Sequence, residues 1–163
     1  MKNHASLFLL CVALMLASPG CSKTTGNKEE TATSENKEQP VSLKIAFGSC
    51  GNPYRPLPIF DRVVEHEPDL FIFLGDNIYG DTDDMDLLRQ KYQVLGKQPS
   101  FQKLKDRAEI LATWDDHDYG RNDAGSEYPH KEASKQIFLE FFEEPEDSPR
   151  YQHAGIYHSI YHK

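Results

Sequence analysis

The sequence predicts an α/β fold organised around parallel strands. Two observations carry that prediction. Leu70 to Leu74 (LFIFL) is an unbroken apolar run of the kind a buried strand shows, and it follows a strand-like and then a helix-like segment at the spacing of a βαβ unit. Three strand-like segments also end alike, in polar loops rich in Gly, Asp and Asn. A βαβ unit joins parallel strands through a right-handed crossover, so all three loops are expected on one edge of the sheet.

The elements follow in order. Val41, Leu43, Ile45 and Phe47 alternate with Ser42, Lys44 and Ala46, which is the period of a strand; it runs into Gly48-Ser49-Cys50-Gly51-Asn52-Pro53. Ile59, Phe60, Val63 and Val64 recur at helical spacing between Pro58, suited to a first helical turn, and His66, and Pro68 marks the exit. Leu70 to Leu74 is then read as a strand covered on both faces, ending in Gly75-Asp76-Asn77. Thr82 is placed to cap a helix starting near Asp83 and carrying Met85, Leu87, Leu88, Tyr92 and Leu95, and a shorter helix holds Phe101 and Leu104. Ile110 to Trp114 is the third strand and ends in Asp115-Asp116-His117-Asp118. Lys131 to Glu144 reads as an amphipathic helix, Pro145 to Arg150 as a turn-rich loop, and Ile156 and Ile160 as the start of another strand.

Residues before this pattern belong to a different class. Lys2, the short apolar run Ala5 to Leu16 and the small residues Ala17-Ser18-Pro19-Gly20 make residues 1–20 a signal peptide. Small residues before Cys21 resemble a bacterial lipoprotein signal, with Cys21 lipidated; an ordinary secretory signal cut nearby is the alternative. Residues 22 to 39 contain no Ile, Leu, Val, Met or aromatic residue, so residues 21–40 are expected to be a disordered tether and residues 41–163 the domain. Cys50 is then the single cysteine of the domain, which excludes an internal disulfide. The expected location is the cell envelope, exported and either membrane-anchored through lipid or periplasmic.

Composition narrows function. With 18 Lys plus Arg against 26 Asp plus Glu, the net charge is −8, and no basic patch for nucleic acid is evident. Acidic residues concentrate in Asp76–Asp86 and Asp115–Asp123. Asp83, Asp84 and Asp86 fall in a first helical turn, where the helix dipole accounts for them. Asp76 is different: it stands at the mouth of a buried strand, where an unpaired carboxylate is costly and calls for a cation or several donors. Ligands of open α/β sheets bind beyond the carboxyl ends of the strands, so sequence-distant Cys50, Asp76 and His117 are expected to converge. Cys50, Asp76, Tyr79 and Asp116 offer a thiolate, carboxylates and a phenol oxygen, a mixed set suited to two unlike metals. Two adjacent metals can clamp a phosphoryl displacement, with a nearby His protonating the leaving alkoxide.

Gly48-Ser49-Cys50, Gly75-Asp76-Asn77-Ile78-Tyr79 and Trp114-Asp115-Asp116-His117-Asp118 with Asn122, together with NDAG, EASKQIFLEFFEEP and GIYHS downstream, resemble the alkaline phosphatase D family of metallophosphoesterases. The resemblance spans Val41 to about Tyr161. It implies that Asp76 bridges two metals, that Cys50 and Tyr79 bind ferric iron, and that Asp116 binds the second metal, calcium. His117 is then the catalytic histidine at the substrate phosphate, and Asn122 contacts substrate or organises the groups around it. The implied reaction is hydrolysis of small phosphate mono- or diesters by metal-bound hydroxide. The implied fold is a two-sheet β-sandwich flanked by helices, and against it the chain is expected to be the N-terminal half, with the C-terminal half missing. On that expectation the 163 residues alone bind metal weakly and hydrolyse esters poorly or not at all. His153, His158 and His162 do not match the family's further ligands. The competing readings are a non-catalytic, lipid-anchored acidic metal-binding surface protein and a decayed product that folds incompletely.

Overall fold

A computed structural model describes residues 42–161. The signal peptide, the tether, Cys21, Val41 and His162 lie outside the described residues. The elements are β1 (Ile45–Gly48), α1 (Pro58–Glu65), β2 (Leu70–Leu74), α2 (Met85–Gly96), α3 (Pro99–Arg107), β3 (Glu109–Thr113), α4 (Asp116–Tyr119) and α5 (Lys131–Phe141), followed by a 3₁₀ turn at Pro149–Tyr151. This is an α/β arrangement. The strands form one sheet in the order β1-β2-β3, parallel throughout, with Ile45 opposite Leu70 and Leu70 opposite Glu109. Their carboxyl ends therefore share an edge, and the loops beginning at Ser49, Gly75 and Trp114 open there.

The helices gather on the sheet face presented by Phe71 and Phe73. Phe60 of α1 meets both rings edge-on, with centroids 5.8 and 5.7 Å away, and Phe73 also reaches Phe101 of α3 and Phe142 beyond α5. Leu88, Tyr92 and Leu95 of α2 and Ile137, Phe138 and Leu139 of α5 are buried and complete this core. The starts of α1 and α3 carry Pro in the first turn, where its missing N–H is no loss. Asp84, not Thr82, caps α2: its carboxylate accepts from the N–H groups of Asp86 and Leu87, while Thr82 Oγ1 accepts from Asp84 one step earlier.

Further sequence expectations are corrected. The alternation through Ile45 and Phe47 does mark a strand, but a shorter one with the opposite phase. Ile45 and Phe47 are exposed, while Ala46 and Gly48 face the packed side. A Cβ on Gly48 would lie 3.6 Å from the Phe71 ring, so small residues on this side leave room for the aromatic cluster. The run Leu70–Leu74 is covered fully on one face only: Phe71 and Phe73 are buried, Ile72 is half-buried and Leu74 is exposed. Trp114 likewise is half-buried, packed edge-on against Tyr119 and Phe138.

The segment around Ile156 is not a strand. It lies beside Ile72 and Leu111 on the other sheet face and is tied by a side chain instead of a ladder. Buried Arg150 donates from Nε to the Ile156 carbonyl (2.8 Å) and from Nη2 to the Ala112 carbonyl of β3 (3.1 Å), and pairs with Glu144 at 2.6 Å. Among the described residues no helix is long and apolar enough to cross a membrane.

Candidate metal centre

The loop after β2 is the centre of the site. Gly75 has φ +108°, and a Cβ there would fall 2.7 Å from Asp115 Cβ and 3.0 Å from its backbone nitrogen, so glycine alone lets the loops after β2 and β3 touch. Gly80 serves the same purpose five residues on: its N–H donates to the His117 carbonyl (2.8 Å), and a Cβ would come within 2.6 Å of that oxygen. The loop after β1 is bound to it as well, through Cys50 N–H to the Gly75 carbonyl (3.3 Å) and Gly51 N–H to the Asp76 carbonyl (3.0 Å).

A buried carboxylate locks two of these loops together. Asp118, fully buried in α4, accepts five hydrogen bonds. They come from Asn77 N–H (3.1 Å), Asn77 Nδ2 (3.1 Å), Ile78 N–H (3.0 Å), Tyr92 OH (3.2 Å) and Asp115 N–H (3.2 Å). Burial pushes its pKa up to about 6 against the pull of these donors. Asp118 thus fixes the backbone on either side of Ile78, and with it Asp76 and Tyr79.

On this frame Asp76, Asp116 and His117 converge, each offering a ligand atom within 4.8 Å of the others. Cys50 joins them, its Sγ 3.5 Å from Asp76 Oδ2. Tyr79 stacks obliquely on His117 with ring centroids 4.6 Å apart, and burial, with the neighbouring Cys50 and Asp76, raises its pKa. Five of the six site residues named from sequence are therefore brought to one place. Asn122 meets the cluster indirectly, through Asp81, whose Oδ1 also holds His117. Its side chain donates to Asp123 (2.7 Å), and its backbone N–H donates to Asp81 (3.0 Å).

Two contributors were not singled out from sequence. Asp81 accepts from, or shares a proton with, His117 Nδ1 at 2.7 Å. Burial lowers the pKa of His117, but the hydrogen bond and charge of Asp81, with Asp116 and Asp76, outweigh it, and the net shift is upward. Asp123 N–H donates to Asp116 Oδ2 (2.6 Å) and is the main cause of a lowered Asp116 pKa, against burial and with help from His117. Asp123 lies in the NDAG stretch and Asp81 two residues past Gly75-Asp76-Asn77-Ile78-Tyr79, but sequence gives neither a role beyond membership of the acidic clusters.

The local backbone is strained in the same place. Among the described residues six non-glycine residues have positive φ, and Cys50 (59°), Asp76 (49°), Asp81 (45°) and Asp123 (61°) are four of them. Such conformations cost about 1–3 kcal/mol each and persist where the surroundings over-determine them. Asp76 also carries an orphan: its Oδ1 is buried and has no hydrogen-bond partner. A carboxylate oxygen without donors, beside a second carboxylate, an imidazole and a thiol, fits a cation. Two cavities flank the cluster, one of about 240 Å³ against Cys50 and Asn77 and a shallower one of about 400 Å³ against Asp116.

Comparison with protein-family models, with curated proteins and with solved structures finds no match for this chain in any of the three.

Proposed function

We propose that the chain is a metal-dependent hydrolase of small phosphate mono- or diesters, of the alkaline phosphatase D type. The observation that carries this reading is the orphaned Oδ1 of Asp76 at the centre of the Asp76, Asp116, His117 and Cys50 cluster. Asp76, Cys50, Tyr79 and Asp116 would hold ferric iron and calcium, Cys50 giving up its proton to do so. Bound metals polarise the phosphoryl oxygens and make water nucleophilic near neutral pH.

His117 is assigned the proton to the leaving oxygen. Asp81 on Nδ1 orients the ring and favours its protonated form, which is what a general acid requires. Asp118 and Gly75 are positioning residues, acting through the loops that carry Asp76. The same reading places the α/β unit within a metallophosphatase-like sandwich, and the exposed apolar residues Ile45, Phe47 and Leu74 on the helix-free side of the sheet support a further layer there. Export and anchoring through Cys21 belong to the same proposal.

The test is calorimetric titration with Ca²⁺, Mn²⁺ and Fe³⁺, followed by release of nitrophenol from mono- and bis-nitrophenyl phosphate. The expected result is metal binding that Asp76→Asn removes, and slow release above the chelator-treated background that His117→Ala abolishes while metal still binds. Binding without any release assigns the chain to non-catalytic metal capture. Absence of binding overturns the reading altogether.

A further inference from the structure

The cavity against Cys50 is apolar and carries no function in the scheme above. Its apolar walls include Phe60 and Val63 of α1, Phe71 and Phe73 of β2, and Leu95. The rest of its lining is polar and belongs to the site: it includes Cys50 and Asn77, Cys50 Sγ stands 3.5 Å from Asp76, and buried Asn77 keeps an Oδ1 without a partner. Gly48, Ser49 and Gly51 of the Cys50 loop line it as well.

We infer that this cavity receives the organic group of the substrate, and that the preferred substrates are phosphate esters of flat apolar, aromatic-sized alcohols. The inference rests on the phosphoesterase reading. A phosphoryl group held at Asp76 and Asp116 has Cys50 at its side, and the space beyond Cys50 is this cavity. Its volume of about 240 Å³ exceeds an engineered cavity of about 150 Å³, lined by Leu, Ile and Phe, that takes up benzene. Apolar walls reward burial of ring surface and offer nothing to a sugar or a polar alcohol, whose hydroxyls would lose their water without replacement. The cavity on the Asp116 side also has aromatic lining, Trp114 and Tyr119, but it is shallower and shares that lining with Asp115, Asp116 and Ser126.

The probes are phenylphosphonate and methylphosphonate, which share the phosphoryl group and cannot be hydrolysed. Their affinities are measured by calorimetry on the full chain loaded with Mn²⁺. The expected result is that phenylphosphonate binds at least tenfold more tightly. Ile59→Trp, at an exposed position on the cavity mouth, should shrink that ratio at least fivefold. Equal affinity of the two probes in the unaltered protein overturns this inference and leaves the phosphoesterase reading standing. A large ratio that Ile59→Trp does not change, in a variant with unaltered circular dichroism, overturns the assignment of the ring to this cavity. Failure of both probes to bind metal-loaded protein removes the phosphoesterase reading and this inference with it.

Discussion

Replacing Asp118 by Asn tests the frame beneath the site. The side chain is fully buried, and all five of its partners are donors. Two effects compete. Donors favour the carboxylate, whereas burial favours the neutral acid, and the outcome is a native pKa of about 6 against an ordinary 3.8. Because the folded value is the higher one, the native state binds more protons between the two. The stability Asp118 contributes is therefore complete below about 3.8 and is lost as pH rises through about 6. At about 1.4 kcal/mol per pH unit this difference is about 3 kcal/mol. Asn does not titrate, so the stability advantage of the parent over Asp118→Asn should be larger at pH 4 than at pH 8 by about 2 kcal/mol, most of that full difference. A pH-independent offset comes on top. If the amide oxygen takes the place of Oδ2, the amide NH₂ faces the Ile78 N–H and leaves it without an acceptor, at about 1–3 kcal/mol, while the Tyr92 hydroxyl can turn to accept. The assay is urea unfolding of both metal-free proteins from pH 4 to 8, followed by fluorescence of Trp114, the chain's one tryptophan. A difference that is flat, or that grows with pH, refutes the reasoning: it would mean that five donors outweigh burial.

Three other perturbations act on neighbouring parts. Asp81→Asn should lower the pKa of His117 towards 6.5, seen in the imidazole proton resonances of the metal-free protein; in the parent, the stability held by that pair is complete below about 6.5 and lost as pH rises through the higher native value. An unchanged titration would show that Asp81 does not set the charge of His117. Gly75→Ala should cost about 2–4 kcal/mol and weaken metal binding in calorimetry, because the new methyl meets the Asp115 backbone at a positive φ; unaltered affinity would show that the two loops need not touch. Arg150→Met should cost about 2–5 kcal/mol in urea unfolding, by freeing the Ile156 and Ala112 carbonyls and leaving the half-buried Glu144 with the Ser148 hydroxyl but no cation, and adding Glu144→Gln should recover part of it; no recovery would mean that the lost carbonyl contacts dominate.

Much of this arrangement is readable from residue order. The alternation of strand and helix, the parallel sheet and the shared edge follow from Leu70–Leu74 and its spacing from its neighbours, and so does the convergence of Cys50, Asp76 and His117. What was not readable depends on which side of the sheet carries the helices. The period of β1 is correct but its phase is not, because the bulk of Phe60, Phe71 and Phe73 selects Ala46 and Gly48 as the inward residues. Apolar Ile156 reads as a strand, yet its carbonyl is satisfied by the side chain of Arg150 six residues before it, which also reaches Ala112 of β3, and such side-chain bonds leave no periodic signal. Asp118 stands among four acidic positions that look equivalent in sequence, and only packing distinguishes the buried hub from exposed Asp115.

The Asp118 hub also bears on how the fold assembles. Its bonds to Asn77 and Ile78 join residues 41 and 40 positions apart, and the Cys50–Asp76 contact spans 26. No two of the three loops lie close in sequence, so a partly folded chain with only one βαβ unit presents part of the cluster, Cys50 with Asp76 or Asp76 with Asp116 and His117, and never all four. On the proposed metal reading, capture by the complete set of ligands belongs to the fully docked state, and an unfolded chain would compete for an ion only with scattered side chains. By mass action, free metal at about 100 times its dissociation constant holds that state by about 2.7 kcal/mol. On that reading, an ion would thereby favour the correct register of the whole sheet over misdocked arrangements that lack the cluster.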